Sequence, residues 1–352
     1  MAGDTSLTSP PHYGADHESF RASVRRLVRA DVVPHLDAWR AAGRVPAELF
    51  RTLGDQGFLG TDVPDDLGGS GTGDPRFTAV LVEEVVAAGA IGLAVVLAHQ
   101  CGVAVPAVLR LPEGDHRTTT IRRVAAGEDL LIPLLLDGGD RGLGVPGAAG
   151  AGFFVVVQSG PDGEAGVSLV ARDAVEVTAG SASLGGLEAG LGDVRLAVPA
   201  ATVDGSEVER VRRDVDLWTA VVSAAGARHA LELGRAYVVE RKVFGRPLSS
   251  LENTRLRLAE VGARIGVVQG FVTRCLDELA DGTLSGVAAA TARMEATRAF
   301  DRAVDQSLQL HGGYGYMREY PISHAYADAR FVRQSAAASS DPRLVLADAL
   351  GL

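Results

Sequence analysis

The chain has 352 residues, with 44 acidic and 34 basic side chains, a formal charge of -10 and only two cysteines. That balance excludes an extended cationic face for nucleic acid or an anionic membrane surface. Cys101 and Cys275 stand apart, without the spacing of a disulfide framework or a zinc site.

Hydrophobic residues make up 47% of the chain and aromatics 5%, with 43 glycines, so helices packed through small residues are expected. Residues 1–16 read as a disordered N-terminus without the basic and apolar regions of a signal peptide, and a cytoplasmic location is expected. A helix is predicted over Glu18 to Asp31, where Phe20, Val24, Leu27 and Val28 form one stripe. Pro46 to Gln56 and the stretch after Asp74 each carry proline where a helix's first turn tolerates it. Between them, Gly68 to Gly73 lacks both the Gly-Lys-Ser/Thr ending of a phosphate loop and the GxGxxG spacing after a strand, and is read as a turn. Ala87 to Leu109 is the most apolar run, but His99, Gln100 and Pro106 interrupt it, which favours a buried helix pair over a membrane span.

Residues 17–129 are therefore read as an N-terminal helical domain. Over 130–206 glycine becomes dense and β-branched runs appear at Phe153 to Gln158, Val167 to Ala171, Val175 to Thr178 and Val194 to Val198, the signature of a small β domain. Over 207–352 long helices return: Val208 to Lys242, Ser250 to Ala280, Val287 to Leu310, and a shorter pair after Pro321 and Pro342. In the second, Leu258, Val261, Ile265, Val268, Val272, Leu276 and Leu279 recur at helical spacing, fitting one face of an antiparallel four-helix-type bundle. The fold class is mainly α with a small, truncated central β domain.

Two segments carry a resemblance. Tyr237-Val-Val-Glu-Arg-Lys-Val-Phe-Gly-Arg-Pro-Leu248 and Gln309-Leu-His-Gly-Gly-Tyr-Gly-Tyr-Met-Arg-Glu-Tyr-Pro321 closely match two motifs of the acyl-CoA dehydrogenases. Gly57-Phe-Leu-Gly60, Pro64, Gly68-Gly69 and Glu83-Glu84 agree more weakly, so the likeness covers most of the chain outside the β domain. The resemblance implies FAD held between subunits, with both motifs serving the neighbour's cofactor. Arg241 would then meet the diphosphate, where a planar guanidinium bonds two oxygens at once. Phe244 would pack beside the cofactor, Gln309 would bond toward the adenosine end, and Gly312 and Gly313 would let backbone amides approach it. No metal is implied.

The departures from the family pattern matter as much. The family's base is a glutamate over the α-carbon of the acyl thioester; counting on from Ala327-Asp-Ala-Arg330, its place falls on Ala336, which accepts no proton. The alternative position, on the first long C-terminal helix, falls on Val215, flanked by Asp214 and Asp216 as candidate relocated bases. The strand that usually contacts the flavin ring reads only Leu134-Leu-Leu-Asp-Gly-Gly-Asp140. Three functions follow from the resemblance: a flavoprotein acting on an acyl thioester of CoA or a carrier protein with a relocated base; a non-catalytic subunit completing the FAD site of a homologous partner; or a redox-neutral enzyme on the same fold. Either a homo-oligomer, dimer or tetramer, or a hetero-oligomer with a homologous dehydrogenase would use the two motifs.

Overall fold

The structure, a computed structural model, describes residues 9–137, 139–159, 165–196, 205–336 and 341–352. Helix α1 (Ala15–Leu27) runs through a π-helical turn into a short 3-10 segment and α2 (Leu36–Ala42), which ends on left-handed Gly43. Next come α3 (Ala47–Asp55) and, beyond the glycine turn, α4 (Pro75–Ala87). Helix α4 starts as its sequence dictates: the Asp74 carboxylate accepts the Arg76 amide, and Pro75 fills a position whose amide has no helical partner.

The apolar run forms α5 (Ile91–Leu97), a π-helical stretch Ala98–Ala104, and α6 (Val105–Arg110). The stretch Ile91–Arg110 is long and apolar enough to cross a membrane, yet 94% of its most apolar window is buried inside the fold. The expected helix pair is thus one buried rod with a π-helical middle. Helix α7 (Asp115–Ala125) closes this layer.

Among the described residues six strands follow: β1 (Leu130–Asp137), β2 (Arg141–Val145), β3 (Ala151–Ser159), β4 (Ala165–Ala171), β5 (Val175–Ala179) and β6 (Gly192–Leu196). They form two three-stranded sheets, β1-β3-β4 and β2-β6-β5. β1 pairs parallel to β3, with Ile132 opposite Phe154, and the other pairs are antiparallel. Because β1 is an edge strand, Pro133 costs the ladder no essential donor.

Helix α8 (Gly205–Glu240) is 36 residues long, about 54 Å at 1.5 Å per residue. The hairpin of β7 (Lys242–Val243) and β8 (Arg246–Pro247) leads from it to α9 (Glu252–Ala280), α10 (Gly286–His311), α11 (Pro321–Ser335) and α12 (Pro342–Ala349). The stripe expected on α9 is realised, with Val261, Ile265, Val268, Val272 and Leu276 buried and Leu258 and Leu279 packed against the core. α8 is the axis of the bundle, and small residues set its distance from its neighbours. A Cβ on Gly226 would come within 2.5 Å of the Phe300 ring, and one on Gly102 would meet the Trp218 indole at 2.2 Å.

Candidate functional site

Two regions hold the residues singled out by sequence. The first is a surface at the far end of α8. There the Arg241 amide closes the last helical turn onto the Tyr237 carbonyl, and the Leu248 amide returns to the Arg241 carbonyl at 2.7 Å, fixing the hairpin to the helix end. The hairpin tip is Phe244-Gly245, with φ of 51° and 77°. Positive φ at both central residues is the tight-turn geometry that matches strand twist, but for a phenylalanine it costs roughly 1 kcal/mol. The Phe244 ring is 98% exposed, so among the described residues nothing in the chain covers it to offset this strain.

Arg241 is also exposed and, among the described residues, has no carboxylate partner; its guanidinium stands 5.6 Å from the Tyr314 ring centroid. The neighbouring surface is aromatic. Tyr237 stacks on His311 at 4.0 Å, and Tyr314 on Tyr320 at 5.1 Å. Tyr237, Glu240, Arg241, Lys242, Tyr314 and Tyr320 together line a 530 Å³ hollow. Gln309 is exposed on the last turn of α10, and Gly312 ends that helix at φ 58° and ψ -135°. Among the described residues nothing lies within 4 Å of where a Cβ on Gly312 or Gly313 would be. All five residues expected at a cofactor thus occur on one exposed end of the bundle, turned out from the chain's own core.

The second region is a cleft of 760 Å³ where the β sheets, the π-helical segment and the bundle meet. Its walls include Pro133, Leu135 and Asp137 of β1, Val215 of α8, Phe331 and Ser335 of α11, and His99. Val215, the residue that the count put at the alternative base position, lies in the cleft wall. Ala336 is the buried residue at the end of α11; its neighbour Ser335 faces the cleft.

The two carboxylates expected to act from beside Val215 are not among the cleft's lining residues. Asp216 Oδ1 accepts a 2.7 Å bond from Arg293 Nη1, and Arg293 Nη2 donates at 2.7 Å to the Ala336 carbonyl. Arg293 thereby ties α8 to the end of α11. Asp214 accepts from Arg213 at 2.7 Å and lies 3.4 Å from Arg110; burial pushes its pKa up, against the pull of both guanidiniums. The physical reason is helix geometry: successive residues sit 100° apart, so a residue next to a cleft-facing valine points away from the cleft. Among the described residues the one carboxylate lining the cleft is Asp137, at the rim and paired with Arg212.

His99 was visible in sequence only as an interruption of an apolar run. Its ring is 6% exposed, lines the cleft, and its Nδ1 has no partner among the described residues. Burial lowers its pKa to about 4, so the ring is neutral at physiological pH. Beside it, Gln100 Oε1 accepts the Leu131 amide at 3.2 Å and joins the π-helical segment to β1.

The family models for the N-terminal and C-terminal domains of acyl-CoA dehydrogenase match residues 14–128 and 217–336, flanking the β sheets and together spanning most of the chain. This chain belongs to the acyl-CoA dehydrogenase family. A long-chain specific mitochondrial acyl-CoA dehydrogenase of Sus scrofa is 28% identical over 361 residues, covering 90% of this chain and 82% of that protein. The crystal structure of an acyl-CoA dehydrogenase from Geobacillus kaustophilus superposes with a TM-score of 0.87 at 20% identity, covering 98% of this chain and 100% of the other. A Mycobacterium smegmatis glutaryl-CoA dehydrogenase solved in complex with FADH2 gives 0.86 at 18% identity, covering 99% of this chain and 96% of that one.

Proposed function

We propose that this chain is the flavin-completing subunit of an acyl-CoA dehydrogenase assembly: it contributes half of a neighbour's FAD site and does not itself abstract the substrate's α-proton. The observation that carries this reading is the contrast between its two regions. The outward surface keeps every residue the family resemblance assigns to a neighbour's cofactor, while alanine and valine occupy both positions from which the family presents a base.

The exposed surface fits FAD chemically. Arg241 has no carboxylate partner among the described residues, so its guanidinium suits a diphosphate, Phe244 offers an exposed ring, and among the described residues nothing crowds Gly312 and Gly313. When bound, the flavin supplies hydride-accepting chemistry. This chain's residues bind and orient it: Arg241 holds charge, Phe244 excludes water from one side, and Gln309 offers an amide. A chain strained at Phe244, and at Arg241 without a carboxylate partner among the described residues, gains contacts from a partner.

The assembly this reading favours is a hetero-oligomer with a homologous dehydrogenase that carries the glutamate; a homo-oligomer would juxtapose the donated half-sites with clefts lacking a base. The relocated-base reading loses its residues, because Asp214 and Asp216 are held in buried ion pairs. The test is to purify the chain alone and after co-expression with a glutamate-bearing homologue, measuring bound FAD and thioester-dependent bleaching of the flavin. Flavin and bleaching are expected only in the mixed assembly. Stoichiometric FAD and bleaching by the lone chain would refute the reading.

A further inference from the structure

The rim of the cleft is backed by two buried carboxyl groups for which neither the flavin surface nor helix packing has a use. Between β5 and β6 the chain runs over residues 180–191, and Ser181, Ser183, Leu184, Gly185 and Leu191 of this segment line the cleft. Among the described residues, 181–185 make no backbone–backbone hydrogen bond. The segment is instead seated on α11. A Cβ on Gly185 would come within 2.4 Å of the Ala327 carbonyl oxygen, and one on Gly186 within 2.4 Å of the Phe331 ring. The Gly186 amide, on a residue with φ of 62°, donates to Asp328 Oδ1 at 2.7 Å. Two residues on, Glu188 Oε1 accepts the Gly92 amide at 2.8 Å, at the start of α5.

Glu188 is 1% exposed and Asp328 3%, and the second oxygen of each, Glu188 Oε2 and Asp328 Oδ2, accepts no hydrogen bond among the described residues. Little compensates them. Arg40 of α2 stands 3.7 Å from Glu188 Oε2, and its Nη2 is committed to the Gly89 carbonyl at 2.8 Å. Asp37 of α2 and His324 of α11 are the other ionisable groups in this neighbourhood; burial lowers the His324 pKa, so its ring adds no charge near neutrality. Arg330 of α11 turns away to Asp301 and Asp305, and α5 brings no ionisable side chain. Burial and then the charge of Glu188 raise the Asp328 pKa to about 7. Glu188 rides on the segment and Asp328 on α11, so their repulsion acts across the contact that seats one on the other.

We propose that a proton on Asp328 is the latch of the cleft's rim: while it is bound, segment 180–191 stays seated on α11, and when it passes to solvent, the bare charge beside Glu188 lifts the segment and widens the mouth of the cleft. Seated, Asp328 keeps its proton up to about pH 7; lifted into water, it would release it near pH 4. Seating is therefore strongest below about pH 4 and weakens roughly tenfold per pH unit up to about pH 7, on the order of a thousandfold in all. The cleft closes in acid and opens toward neutrality.

The experiment is hydrogen exchange by mass spectrometry on the full chain between about pH 5 and pH 8, corrected for the intrinsic exchange rate, in the parent, Asp328→Asn and Glu188→Gln. Asparagine keeps an acceptor for the Gly186 amide but does not titrate. Protection of peptides over 181–191 is expected to fall about tenfold or more with rising pH in the parent and to stay level in Asp328→Asn. Glu188→Gln, which leaves Asp328 buried but uncontested, should show a smaller fall. Peptides of α9 over 261–276 should stay protected throughout, which separates lifting of the rim from unfolding. In the same pH series Val215→Cys puts a thiol in the cleft wall, while Cys101 and Cys275 are buried. Its labelling rate by a bulky maleimide, divided by the rate for the same cysteine in Asp328→Asn, cancels the thiol's own ionisation and should rise about tenfold or more. Level protection in the parent overturns the proposal, as does a fall that persists in Asp328→Asn, one undiminished in Glu188→Gln, or a flat labelling ratio.

Discussion

Replacing Asp216 by alanine separates a structural carboxylate from a catalytic one. In the structure Asp216 and Arg293 are 2.7 Å apart with side chains 4% and 6% exposed, and Arg293 also holds the carbonyl of Ala336. Removing one member of a buried pair leaves the other charge poorly compensated, a loss of about 3 to 5 kcal/mol. For a chain of 352 residues, an unfolding entropy of about 2.1 cal/mol/K per residue converts this to a fall in Tm of roughly 4 to 7 °C. Differential scanning calorimetry measures that fall, and the double variant Asp216→Leu with Arg293→Met should recover most of it, since packed apolar groups replace a buried pair at little cost. An unchanged Tm for Asp216→Ala, accompanied by loss of thioester-dependent flavin bleaching, would refute the structural assignment and restore Asp216 as a base.

Four further outcomes follow from the same geometry. Arg241→Ala should weaken FAD retention in the mixed assembly by about ten- to a hundredfold, the worth of one charge-assisted contact, as read by fluorescence of released flavin. Phe244→Gly should raise the lone chain's stability by roughly 1 kcal/mol, by relieving positive φ, while weakening the assembly; opposite shifts in the two measurements are the signature. Ala336→Glu should give no thioester-dependent bleaching in the chain alone, and stopped-flow absorbance would show any gain. Asp328, wholly buried, has its pKa raised to about 7 by desolvation and then by Glu188. A raised carboxylate pKa means stability is lost as pH rises from the unfolded value of about 4 to about 7. Asp328→Asn, whose amide oxygen still accepts the Gly186 amide, should therefore gain stability relative to the parent between about pH 5 and pH 8 in urea titrations.

The helices that were legible had local chemistry to announce them. Asp74 and Pro75 marked the start of α4, and the apolar stripe of α9 fixed its buried face. Helix α7 gave no signal: three consecutive threonines disfavour a helix, and only burial of Ile121 and Val124 against the core overrides them. Strand β1 was missed because Leu130 to Leu136 is buried with no alternation and contains Pro133, which only its edge position tolerates. The motif residues were found in sequence because they lie in contiguous segments, and the structure gathers them at one exposed end of the bundle. The flanking aspartates misled because proximity in sequence is not direction in space, and His99 was hidden because its neighbours in the cleft come from β1, α8 and α11.

The hairpin tip and the turn beyond α10 set the terms on which the free chain survives in solution. Phe244, Tyr316 and Met317 together present bare apolar surface at one end of the molecule. Such surface invites non-specific association until something covers it. Under the proposed pairing, a protomer made in excess of its counterpart is the species prone to aggregate and to be degraded, and its lifetime follows the counterpart's concentration by mass action. Under the proposed hetero-oligomer, balanced synthesis of the two chains becomes a requirement written into a few side chains of this one.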